Sequence, residues 1–175
     1  MGDRLLILHN IRMLLLAAWL GVAIYFSAVV APGAFGVLRS AALPNANELA
    51  GTIVTRTLSV VNTSGFVLSL LLLVTAVGLK RSFGRLSSQL QIGLLTIIAA
   101  GTGVGEWLIA PRMRGLRAAM NGQIDLVPLT EPNRMAFAAL HGYSVAALSV
   151  AMIAALLVIL LMVFARRRGT PLPTK

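Results

Sequence analysis

Cysteine is absent from this 175-residue chain, which excludes disulfides and thiolate metal sites. Acidic residues are scarce: five Asp and Glu stand against 15 Lys and Arg, and charged residues make up 11 % of the chain. A soluble domain carries about 25 %. There are two histidines, His9 and His141. No serine or acid pair has the partner pattern of a hydrolase, and no catalytic motif is present, so the expectation is a protein that is not an enzyme and holds no cofactor. A b-type haem needs two histidines at one depth; His9 and His141 flank opposite ends of the apolar segments, so one haem cannot take both.

What the chain does have is apolar length. Hydrophobic residues form 58 % of it and its mean hydropathy is +0.88. The charges cluster between long uncharged stretches, the pattern of a chain solvated by lipid. The net charge of +10 does not point to nucleic acid, because most basic residues flank apolar segments, where they meet lipid headgroups. The expected partner is therefore the lipid bilayer, with no nucleic acid.

Four uncharged stretches run from Met13 to Leu38, Thr57 to Leu79, Leu86 to Gly105 and Met135 to Ala165. Each exceeds or matches the roughly 20 residues a spanning helix needs, and in hydrocarbon such segments must be helical to satisfy their backbone groups. The expected fold is an all-α integral membrane protein, a bundle of four transmembrane helices forming one domain over residues 1–175. The spans fall near 13–32, 54–79, 87–110 and 138–164, with a basic cytoplasmic tail at 166–175. Helix 1 is expected to end near Ala31-Pro32-Gly33. It reads as a retained anchor, since its uncharged run is about twice a signal-peptide core and contains Trp19, Tyr25 and Phe26. With both termini inside, nine Lys and Arg lie in the cytoplasm and six outside, so the bias favours N-in/C-in in a plasma or inner membrane.

Packing between such helices relies on small residues. Helix 3 offers Gly93, Gly101, Gly103 and Gly105, helix 1 offers Ala17-x-x-x-Gly21, and helix 4 offers Ala147, Ala151 and Ala155. Thr55, Ser59, Asn62, Phe66 and Ser69 form a stripe on one face of helix 2, suited to interhelical hydrogen bonds or to lining a solute path. Between helices 3 and 4, Pro111 to Arg134 is a longer connection whose first part has the character of an amphipathic interfacial helix.

Depth arithmetic brings a polar cluster together. Helices rise about 1.5 Å per residue through a hydrocarbon layer of about 30 Å. Arg56 lies 23 residues from Leu79, Glu106 lies 21 residues beyond Arg85, and His141 lies 25 residues before Arg166; Arg112 follows Glu106 by six. All four converge on the outer boundary. Glu106 is the only acid within a span, and Arg56 and Arg112 are its candidate counter-ions, with His141 able to join by a hydrogen bond. A soft-metal alternative pairs His141 with Met113, Met120 or Met135.

The segment Glu106-Trp107-Leu108-Ile109-Ala110-Pro111-Arg112, followed by Ala118-Ala119-Met120, resembles the signature of the transmembrane-protein-205-like family. Phe137-Ala138-Ala139-Leu140-His141-Gly142-Tyr143-Ser144 is similar to that family's motif opening the fourth helix, and Trp19-Leu20-Gly21 with the downstream Pro32 also fits. The resemblance implies a four-helix membrane domain of unknown function, with motif positions at Trp107, Pro111, Arg112, His141, Gly142 and Ser144. Relatives with cysteines or methionines have suggested metal or drug export; this chain has no cysteine for a sulfur relay.

The candidate cluster, binding or structural, is thus Arg56, Asn62, Glu106, Trp107, Pro111, Arg112, His141 and Ser144. The leading expectation is a multi-pass membrane protein binding or passing a small charged solute or metal through this cluster. The alternatives are a structural subunit docking a membrane-protein partner or a second copy of itself, and a membrane-bound redox or enzyme component.

Overall fold

A computed structural model of the chain describes residues 2–43, 45–78, 85–120 and 124–168. Two prolines shape it. In a regular helix Pro32 would leave one carbonyl without a donor and press its ring against it. The chain instead widens by one π-turn, Phe26–Val30, before the proline: the N–H of Ala31 reaches back five residues to the carbonyl of Phe26. α1 (Gly2–Tyr25) therefore passes through the π-turn into α2 (Ala31–Ser40). The end expected at Ala31-Pro32-Gly33 does not occur.

The third span repeats the device. α4 (Arg85–Gly103) leads into a π-turn, Val104–Ile109, where the N–H of Ala110 reaches the carbonyl of Gly105. Pro111 then enters α5 (Ala110–Ala119). The amphipathic segment expected after Pro111 is a helix, but one continuous with the span. The other two rods are uninterrupted: α3 (Ala46–Gly78) and α6 (Pro132–Arg168). Glu131 marks the start of α6 by accepting the backbone N–H of Arg134 at 2.9 Å.

Four helices are long and apolar enough to cross a membrane: Leu6–Ser40, Ala46–Gly78, Ser88–Ala119 and Pro132–Phe164. The rods alternate in direction. The start of α1, the ends of α3 and α6 and the start of α4 share one end of the bundle, here the terminal end; the 41–45 and 120–131 connections share the other, the loop end. The expected turn over 80–84 and the tail at 169–175 lie outside the described residues.

α1 and α4 each pack against both α3 and α6. The core comes from all four rods: Leu16, Trp19, Ala23 and Phe26 from the first, Val61 and Leu72 from α3, Leu95 and Ile98 from α4, and Leu148, Ala151, Ala155 and Val158 from α6. Large apolar residues such as Leu14, Val60, Val74 and Ile153 face outward, which suits a lipid solvent. Trp19 shows how tightly the rods meet. Its indole N–H donates to the carbonyl of Val61 at 3.0 Å, and a Cβ on Gly65 would stand 2.6 Å from its ring. Only glycine fits at 65 without displacing the indole.

The candidate site at the loop end of the bundle

Glu106 lies within the second π-turn, a type of element frequent at functional sites because it re-aims a side chain without breaking the helix. Opposite it, α3 presents Ser59 and Asn62. The Ser59 hydroxyl donates to Glu106 Oε1 at 2.7 Å. Gly105 lets the rods approach at this level: a Cβ there would lie 3.0 Å from Asn62 Nδ2, and Asn62 is 3 % exposed. Ser59 alone of the α3 stripe's hydroxyls is hydrogen-bonded to another rod, since Thr55 and Ser69 donate to carbonyls of their own helix, those of Gly51 and Phe66.

The second carboxylate oxygen, Oε2, is buried and has no hydrogen-bond partner, and among the described residues no cation closes on Glu106. In front of it lies a cavity of about 80 Å³, room for water or one small organic group. Ser59, Asn62 and Glu106 line it from two rods, with Ser144 and His141 of α6, Arg114 and Arg117 of α5, and apolar contributions from Leu58, Met113 and Phe137. A broader recess of about 440 Å³ shares Thr55, Ser59, Arg114 and Arg117 with the cavity and adds Thr52 and Arg56.

The sequence-selected residues divide accordingly. Asn62, Glu106, His141 and Ser144 meet at the cavity, His141 with much of its ring exposed. Arg56 lines only the outer recess and is exposed. Trp107, Pro111 and Arg112 line neither. Trp107 is 53 % exposed and packs edge-on against Phe66 with ring centroids 4.7 Å apart, Pro111 belongs to the elbow, and Arg112 is exposed. The counter-ion pairing expected of Arg56 or Arg112 with Glu106 is replaced by the Ser59 hydrogen bond.

The cations that do reach the cavity are Arg114 and Arg117. Arg117 is half-buried, its guanidinium 5.7 Å from the Phe137 ring centroid and close over Gly51, where a Cβ would lie 2.6 Å from Nη2. A signal for them exists in the sequence: Ala110, Met113, Arg114 and Arg117 recur at helical spacing on one face. It becomes readable once the third rod continues through Pro111. Among the described residues no three of His, Cys, Asp and Glu group as metal ligands.

A domain family of unknown function, DUF4149, matches residues 14–122. The chain belongs to that family. The match runs from the middle of α1 through α5, including Ser59, Asn62, Glu106, Arg114 and Arg117; Arg12 lies before it, and His141 and Ser144 of α6 lie beyond it. No curated protein and no solved structure matches the chain.

Proposed function

We propose that this DUF4149 protein is a non-enzymatic multi-pass membrane protein, with both termini in the cytoplasm, that binds a small charged solute in the Glu106 cavity on the external face. The supporting observation is the buried, unpartnered Oε2 of Glu106 beside a cavity. A carboxylate oxygen in that setting lacks a donor, and a bound ammonium or similar group supplies one. Arg114 and Arg117 on the same wall disfavour a simple cation and suit an anionic oxygen at the solute's other end. A small zwitterion satisfies both sides. Of the soft-metal set, His141 and Met113 line the cavity and Met120 and Met135 do not, and the two arginines on the same wall favour the zwitterion over a bound cation.

The resemblance to the transmembrane-protein-205-like family supports the same location, since His141 and Ser144 of its motif line the cavity. The orientation rests on the Lys and Arg bias.

Thermal unfolding of the purified protein with a panel of small ammonium compounds, zwitterions and inorganic cations tests the reading. The expected outcome is a saturable rise in Tm with zwitterions, lost in Glu106→Gln and reduced in Arg117→Gln. A wild type indifferent to the whole panel would sink it. Uptake of the responding compound into proteoliposomes then separates passage from binding alone.

A subunit role has one observation in its favour: Ala17 and Gly21 of α1 face outward, with open space around Gly21. Of the helix 3 glycines Gly93 is likewise exposed in open space, whereas Gly101, Gly103 and Gly105 are filled within the bundle by Ala147, Phe66 and Asn62. Native mass measurement in detergent tests this second reading; a lone monomer counts against it.

A further inference from the structure

A second charge is buried in the bundle, at the opposite end from Glu106. Arg12 sits on α1 ten residues after Gly2, and 2 % of its surface is exposed. Its Nη2 donates to the carbonyl of Leu72 on α3 at a long 3.4 Å. Nε and Nη1 are buried and have no hydrogen-bond partner. A guanidinium cannot shed its charge, so the N–H groups on those two atoms remain donors without acceptors.

Among the described side chains no carboxylate reaches them. Glu48 begins α3, Glu106 lies in the second π-turn, and Asp125 and Glu131 belong to the 120–131 connection, all toward the loop end. Asp3 is nine residues before Arg12 on the same helix, about 13 Å away along the axis. An anion from outside the described residues would supply the missing acceptors.

Other polar side chains are buried at the same end of the bundle. Ser88 and Gln91 of α4 are 5 % and 9 % exposed. They follow Arg85 by three and six residues, and Leu72 precedes the end of α3 at Gly78 by six, which places all of them within about 9 Å of the terminal end. The helix ends that meet there are basic in sequence: Arg4 near the start of α1, Arg85 at the start of α4 and Arg166 to Arg168 at the end of α6.

We propose that the terminal end of the bundle binds a phosphate-type oxyanion at Arg12. Donors on two separate nitrogens call for a ligand with several acceptor oxygens, which a tetrahedral oxyanion has and chloride lacks. The basic end draws such an anion in. Its source is free phosphate or the phosphate of a phospholipid headgroup in the adjacent leaflet; the chemistry at Arg12 is the same. This inference is independent of the Glu106 reading.

The test uses the full chain in detergent, stripped of lipid and free of phosphate. Tm is followed with sodium phosphate against sodium chloride at matched ionic strength, and with phosphatidylglycerol against phosphatidylcholine, for wild type, Arg12→Met and Arg12→Lys. The expected result is a saturable rise for wild type, no rise for R12M, and an apparent affinity about tenfold weaker for R12K, which keeps the charge but loses the planar fork. A response to inorganic phosphate identifies a free anion, and a response to phosphatidylglycerol alone identifies a headgroup. The proposal is overturned if wild type responds no more to phosphate and phosphatidylglycerol than to their controls, a result that needs no variant to fold. It is equally overturned if R12M or R12K responds as wild type does.

Discussion

Glu106 and Arg12 are charged side chains inside predominantly apolar spans, and each has one hydrogen bond and at least one buried atom without a partner. There the likeness stops. Glu106 is half-buried, bonded at 2.7 Å to a side chain of another rod, and faces a cavity. Arg12 is 2 % exposed, bonded at 3.4 Å to a backbone carbonyl, and enclosed by the bundle core. One charge is kept beside a space that water or solute can enter and leave. The other is enclosed and depends on a counterpart that stays. A membrane bundle can hold an ionised group in either way, and the two make opposite demands on exchange.

The contrast is broken most directly at Arg12. In phosphate-free, lipid-stripped detergent the wild-type guanidinium is uncompensated, and Met fills much of its volume without a charge. Replacing buried ionic groups by apolar ones of similar size is often neutral or stabilising by about 1–4 kcal/mol. Arg12→Met is therefore expected to raise stability by that order, measured by reversible unfolding in mixed micelles. A loss of similar size would show that Arg12 is satisfied within the bundle and that the two charges are alike after all.

A smaller effect is expected at Ser59. A hydrogen bond to a charged group contributes about 1.5–3 kcal/mol, toward the low end where water reaches the carboxylate. Ser59→Ala should lower stability by about 1.5 kcal/mol. In a Glu106→Gln background the same change should cost less, because the surviving bond is neutral. Coupling near zero in that double-mutant cycle would mean that the carboxylate is fully hydrated, so that the cavity, rather than Ser59, holds Glu106.

How much of this was legible depends on which level of the chain is asked. Four long apolar helices follow from apolar length and the backbone's need to satisfy itself in lipid, although the first and third run through Pro32 and Pro111, past the ends expected of them. Of the four residues that depth arithmetic grouped, Glu106 and His141 line the cavity, while Asn62 was reached through the α3 stripe and Ser144 through the family resemblance. The partners of Glu106 were not legible. Arg56 and Arg112 share its depth, but depth leaves the angle around the helix undetermined, and a π-turn adds a residue that no periodic count anticipates. Pro111 read as a stop hid the face carrying Arg114 and Arg117. Arg12 was counted among the flanking charges because its sequence neighbours are ordinary; its burial depends on packing against α3, where Leu72 lies 60 residues away in the chain.

The two elbows offer the finest test, since they share a backbone and differ in cargo. The first π-turn carries Phe26 into the core, and the second carries Glu106 to the cavity. If each wide turn exists because a proline follows it, Pro32→Ala and Pro111→Ala both allow a regular α-helical ladder to re-form. Stability should change by no more than about 1 kcal/mol in either, because the restored hydrogen bond offsets the repacking. The consequences for the site should differ. Losing the extra residue turns the helix by about 100°, so P111A should swing Glu106 from the cavity and weaken the zwitterion response at least tenfold. P32A should leave that response intact. Equal retention in both variants would mean that packing of Gly105 on Asn62, rather than the proline, holds the carboxylate in place.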